Sequence, residues 1–173
     1  MSTNFSLLEE AMIEGLCYDD TTRFTVRVFC EKAQMPRATF YRNFTNMTGL
    51  YQYYCNYSFY RLLRVNDNLN FVENYHRLLE FLEERRELIC QIYLNTPEFF
   101  FQQTMEEVLL AGLQSYYRDL DLSNYVLKLI ARTIAFDAWV WINSGFTDEL
   151  EQIYAEFEKV LATVSQYTNS IYE

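Results

Sequence analysis

The 173-residue sequence predicts an all-α chain, with a three-helix N-terminal head over residues 1–47 and a helical body over residues 48–173. Three observations carry that expectation. Apolar residues recur at spacings of three and four along most of the chain, which is the period of a helix buried along one face. Only four glycines and two prolines occur, too few to turn the corners of a many-stranded sandwich. The stretch from Thr25 to Phe44 reads as two short helices joined by a tight turn, a helix-turn-helix. Tyr and Phe are abundant and would by propensity suit strands, but the spacing is helical and we give it precedence.

The first helix is expected to open at Ser6-Leu-Leu-Glu9, which has the spacing of a capping box. Leu7, Leu8, Ala11, Met12, Gly15 and Leu16 then line one face, and the helix ends near Cys17. Asp19-Asp-Thr-Thr22 makes the loop that follows. In the second helix Val26, Phe29, Cys30 and Ala33 share a face, and in the third Phe40 and Phe44 do. Pro36 suits the first turn of that third helix, where its missing amide costs nothing. The outward set is then Arg27, Arg37, Thr39, Tyr41, Arg42 and Asn43, donors suited to phosphates and base edges. Between Arg23 and Arg42 stand five cations against one anion, Glu31.

A fourth helix runs from Thr48 to about Val65, with Leu50, Tyr54, Tyr57, Arg61 and Val65 on one stripe and Tyr53, Tyr60 and Arg64 on the next; Asn66-Asp-Asn68 interrupts it. In the fifth, Phe71, Val72, Tyr75, Leu78, Leu79 and Leu82 face the core. The charged run Glu83 to Glu87 marks a kink or break, after which Leu88, Ile89, Ile92 and Tyr93 resume the stripe until Thr96-Pro97 stops it. A sixth helix spans about Pro97 to Asp119, and a seventh runs from an N-cap at Ser123 to Ser144, ended by Gly145. The eighth starts at Thr147-Asp-Glu149, with acids in its first turn and Leu150, Ile153, Tyr154, Phe157, Val160, Leu161 and Val164 as its stripe.

The block Thr25–Phe44 resembles the DNA-binding domain of the TetR/AcrR family of transcriptional regulators, whose pattern runs roughly T-V-R-x-I-A-x-x-A-G-V-S-x-G-T-F-Y-x-x-F. The matching residues are Thr25, Val26, Arg27, Ala33, Met35, Thr39, Phe40, Tyr41 and Phe44. The resemblance implies a TetR-like fold: a helix-turn-helix DNA-binding domain over 1–47, and a ligand-binding and dimerisation domain over 48–173. It gives phosphate contacts to Thr25, Thr39 and Tyr41 and base-facing positions to Arg37, Ala38 and Arg42, with Arg27 able to reach either and Asn43 beside them. Three departures weaken the DNA contact it implies. No basic arm precedes the first helix, Gln34 stands where the family has glycine, and Met47 stands where many members place a phosphate-gripping lysine.

Charge supports a confined DNA contact. Residues 1–50 hold five Lys and Arg against six Asp and Glu, net −1, which leaves −9 of the chain's −10 to residues 51–173. Affinity for phosphate rests on neutralising cations, so a chain this acidic cannot coat nucleic acid. Cys17, Cys30, Cys55 and Cys90 lack metal-ligand spacing and read as free thiols in a reducing cytosol. With one histidine, His76, no nucleophile–base pair, glycine-rich phosphate loop or metal site is expected, hence neither enzyme activity nor a cofactor. No leader or membrane span is read, and a cytoplasmic location is expected.

By resemblance, the effector pocket lies inside the fourth to seventh helices, and its candidate lining is Tyr54, Tyr57, Phe71, Tyr75, Phe100, Met105, Phe136 and Trp139. The residues by themselves favour plain core packing, because a stripe at helical spacing needs no ligand to explain it. The last two helices form the expected homodimer interface, a four-helix bundle through Val126, Ile130, Ile134, Trp141, Ile153, Phe157 and Leu161. Asp137 within its apolar run points to solvent, faces the symmetry mate, or pairs with a cation such as Arg132 or a ligand amine. The function this implies is a ligand-responsive repressor binding a palindromic double-stranded DNA operator as a dimer. The alternative is a TetR-like coregulator that docks on another protein and binds DNA weakly or not at all.

Overall fold

The computed structural model describes residues 5–18, 23–64, 71–97, 99–118 and 122–171. Among them stand nine helices and no strand: α1 (Phe5–Leu16), α2 (Val26–Lys32), α3 (Arg37–Asn43), α4 (Met47–Arg64), α5 (Phe71–Glu84), α6 (Arg86–Leu94), α7 (Phe100–Tyr116), α8 (Asn124–Asn143) and α9 (Leu150–Ile171). The expected kink at Glu83–Glu87 is a full break, with Arg85 between α5 and α6. The loop at 19–22, Val65, the interruption at 66–68 and Asp119 lie outside the described residues.

In the head, α1, α2 and α3 close around Phe29 and Phe40, neither of which has exposed surface. Phe29 sits edge-on between Phe24 at 6.2 Å and Phe40 at 5.7 Å. Gly15 lets the chain before α2 come this close, since a Cβ there would lie 2.0 Å from the Phe24 ring. In the body, α7 packs along α8 and is flanked by α4, while α9 lies against α5 and α8. Phe157 of α9 reaches between Phe71 and Tyr75 of α5, with ring centroids 5.9 and 4.1 Å away. Burying an aromatic side chain of this size contributes about 1.5–3 kcal/mol. Ser123 caps α8 as expected, its hydroxyl accepting from the Val126 amide at 3.3 Å. Gly145 ends α8 at a φ of 76°, and the Phe146 amide reaches back to the Trp141 carbonyl.

One polar node ties head to body. Glu9 of α1 accepts from the Tyr54 hydroxyl of α4 at 2.8 Å, and Arg85 Nε donates to the same oxygen. This corrects the expected capping box. The helix already runs from Phe5, so Ser6 lies inside it and bonds Glu10 at 3.0 Å, while Glu9 is drawn into the body. Burial and the Glu9 carboxylate push the Tyr54 phenol far above its ordinary value, so it remains a donor. For Arg85, burial works against the charge but Glu9 outweighs it and holds the guanidinium above its ordinary value. Arg85 also lies over the Phe81 ring, 4.4 Å from its centroid.

Other expectations shift by a turn or less. Asn46 caps α4, its Oδ1 accepting from the Gly49 amide at 2.9 Å, so that helix starts at Met47. Pro36 is the N-cap of α3 and not a first-turn residue. The sixth expected helix begins at Phe100, not Pro97, and the eighth begins at Leu150, where the Glu149 carbonyl takes the Gln152 amide. The residues expected at the dimer interface lie as follows within the single chain. Ile130, Ile134, Trp141, Phe157 and Leu161 are buried in the chain's own core, and Ile153 packs partly against it. Trp141 is held by its Nε1 donating to the Asp148 carbonyl at 2.8 Å. The apolar residues that α8 leaves outward are Tyr125, Leu129, Phe136 and Val140, each 40–71% exposed, with Val126 beside them.

Gln34 takes a φ of 47°, the left-handed region that costs an L side chain roughly 1 kcal/mol. Gln34→Gly is therefore expected to raise stability by about 1 kcal/mol in urea unfolding, and no gain would mean that the side chain compensates. Asp137 is half-buried near Glu156, and burial first, then that charge, raise its pKa. Arg132, the cation the sequence offered to Asp137, pairs instead with Glu106 at 3.2 Å. A raised folded-state carboxyl pKa adds stability at low pH that is lost as pH rises through that value. Asp137→Asn should thus unfold at higher urea than wild type at about pH 7, with the difference shrinking toward about pH 4.

Candidate nucleic-acid interface

The surface begins with how α2 hands over to α3. Thr25 caps α2, its hydroxyl accepting from the Val28 amide at 3.4 Å, which leaves the O–H as a donor. At the other end the Gln34 and Met35 amides return to the Glu31 and Cys30 carbonyls at 3.3 and 2.9 Å, closing the helix through the left-handed residue. Two residues later the Pro36 carbonyl accepts from the Thr39 and Phe40 amides, so α3 starts at once in a new direction. That turn is what lets Phe40 and Phe44 bury while the opposite face of α3 stays in water.

Arg37, Ala38, Tyr41, Arg42 and Asn43 are all exposed, and Thr39 is half-buried. Tyr41 is held edge-on to Phe40 at 5.4 Å with its phenol outward, 60% exposed. Arg42 donates to the Thr39 hydroxyl at 3.3 Å, and Asn43 donates its amide N–H to the Thr39 carbonyl at 2.8 Å. Asn43 is thus turned back along its own helix. Arg27 faces Glu31 at 3.8 Å, both well exposed, and such a pair is worth about 0–1 kcal/mol, little enough to exchange for a phosphate. The structure therefore gathers Arg37, Ala38, Tyr41 and Arg42 on the exposed side of α3, with Thr39 at its edge and Thr25 and Arg27 at the start of α2. Cys30 behind them is a poor nucleophile, because burial raises its thiol pKa more than Arg37 lowers it.

The pocket candidates do not converge on one space. Tyr54, Phe71, Tyr75 and Met105 are buried in the core, Tyr54 turned toward Glu9 and Phe71 with Tyr75 against Phe157. Phe100 is half-buried against the core. Phe136 stands half-exposed on α8 with Trp139 5.5 Å away. Tyr57 lies on the outer face of α4, in a groove of about 610 Å3 whose described lining is Tyr53, Asn56, Tyr57, Tyr60 and Arg61. The signal for that groove was in the sequence, a tyrosine at 53, 57 and 60 followed by an arginine, and a ligand search directed inward passes over it. The Glu9–Arg85 pair, 76 positions apart, had no local signal at all.

His76 lies between Glu80 at 3.5 Å and Glu151 at 3.3 Å, edge-on to Tyr154. Among the described residues no group of three His, Cys, Asp or Glu is placed to hold a metal ion, and no helix is long and apolar enough to cross a membrane.

A solved structure named "Dihydroxyacetone kinase operon activator DhaS" aligns with a TM-score of 0.67 over 93% of this chain and 96% of that chain, at 20% identity. The likeness shows the fold, an all-α arrangement shared with that chain over almost its whole length. No family model matches the chain, and no curated protein is significantly similar to it.

Proposed function

We propose that the chain is a dimeric, ligand-responsive transcriptional regulator that reads a near-palindromic operator through α3 and represses where that operator overlaps a promoter. The observation that carries the reading is the exposed set on α3. Two arginines, a phenol and a half-buried hydroxyl share one short element of a chain whose remaining charge is strongly negative. A helix of seven residues is about 10 Å long and fits a major groove about 12 Å wide. Arg37 and Arg42 reach base edges, while Thr25, Thr39 and Tyr41 hold phosphates and Arg27 exchanges Glu31 for one.

The name of the structurally similar chain supports a role in operon control, with the opposite sign of regulation at that protein. Dimerisation is assigned to the outward stripe of α8, Tyr125, Leu129, Phe136 and Val140, beside the exposed side of α9. Two heads so related read half-sites about 10 bp apart or somewhat more. A ligand acts by binding one separation of the heads better than another, and shifts DNA occupancy only by that difference. The Glu9–Tyr54–Arg85 node supports such coupling, because any shift of α4 against the start of α6 pulls on α1.

Fluorescence anisotropy against duplexes tiled from the DNA flanking the gene, with random duplex as competitor, tests the reading. A saturable, competitor-resistant site is expected, and Arg37→Ala or Arg42→Ala should cut discrimination over random DNA by about 1–3 kcal/mol. Equally weak binding to every duplex, abolished by salt, would favour instead a coregulator that docks on another protein. Leu129→Glu should give monomers in sedimentation with unchanged helicity, and an intact dimer would move the interface off α8.

A further inference from the structure

We propose that the outer face of α4 is a binding site for a planar aromatic carboxylate. Tyr51, Cys55, Ser58 and Phe59 turn one side of this helix into the core. Tyr53, Asn56, Tyr57, Tyr60 and Arg61 fall on the other side and line an open groove of about 610 Å3. Grooves that take small organic ligands run to about 300–1,000 Å3 and are mostly apolar and aromatic, with few polar groups. This one has that chemistry.

Tyr53 and Tyr57 form its shelf. Their rings are 24° from parallel with centroids 5.9 Å apart, and they are 37% and 40% exposed. Each is braced from the head: Phe44 lies 5.4 Å from Tyr53, and Phe5 lies 4.4 Å from Tyr57. The shelf is therefore set before any ligand arrives, and a flat ring can stack along it at low entropic cost.

Arg61 supplies the charge. It lies one helical turn beyond Tyr57, about 5–6 Å on along the same face, so its long side chain can reach a carboxylate on a ring stacked over the tyrosines. It is exposed and makes no ion pair among the described residues, in a part of the chain that carries net −9. A guanidinium fork suits a carboxylate's two oxygens. One cation beside three phenols is too little charge for a nucleic-acid strand. Lipid tails would leave the guanidinium unmatched.

The site goes beyond the DNA-reading role and is tested without DNA. Full-length protein is titrated with 2-naphthoate, following the naphthyl fluorescence, with 2-naphthamide and cyclohexanecarboxylate as the uncharged and non-aromatic counterparts. Saturable naphthoate binding is expected, about tenfold tighter than either counterpart. Arg61→Gln should weaken it about tenfold with unchanged thermal unfolding, Tyr57→Ala should weaken it about tenfold with helicity retained at the assay temperature, and Arg61→Lys should fall between Arg61→Gln and wild type. Absence of saturable binding, equal affinity for naphthoate and naphthamide, or equal affinity of wild type and the Arg61 variants would overturn the proposal.

Discussion

The Glu9 carboxylate is where the head and the body meet. It is mostly screened from water, and a carboxylate there is tolerated only because two donors converge on one oxygen, the Tyr54 phenol and the Arg85 guanidinium. Each donor comes from a different part of the body, the middle of α4 and the break between α5 and α6. Arg85 in turn covers the Phe81 ring, and the Tyr54 ring stacks with Phe5 of α1. Removing any member would leave a polar group in an apolar setting, so orientation of the head, position of α4 and the bend before α6 are set together.

The head was largely legible in the sequence because its determinants are local. The spacing of Phe40 and Phe44 decides which side of α3 faces water, and the need for a left-handed residue at position 34 follows from the short turn whatever residue occupies it. Ser123 and Gly145 likewise act on their own helix ends. The body was legible as helices but not as faces. The chain of α8 is apolar nearly all round, so Ile130 or Leu129 could equally have been the inward residue until α7 and α9 were packed against it. Ser6-Leu-Leu-Glu9 misled for a similar reason, since Glu9 satisfies partners far along the chain in preference to a backbone amide nearby.

Charge bears directly on the proposed reading surface of this acidic molecule. In the proposed reading, the excess of carboxylates in the body confines attraction to DNA to the head's arginines, and the rest of the protein is repelled. The same imbalance makes an exposed arginine on α4 conspicuous, because most neighbouring charge is of the opposite sign and yet none of the described acids takes it up.

The buried side chains form one continuous cluster from Leu8 in α1 through Phe29, Phe40 and Leu50 to Leu161 in α9. The boundary near residue 47 therefore separates tasks without separating folding units. A head cut out after α3 would leave Phe44 without Tyr53 and Phe5 without Tyr54 and Tyr57 of α4, and Glu9 without either of its donors. In the proposed reading, a change of operator preference needs only the outer side of α3, whereas transplanting the head onto another body must carry α4 and the partners of Glu9 along with it.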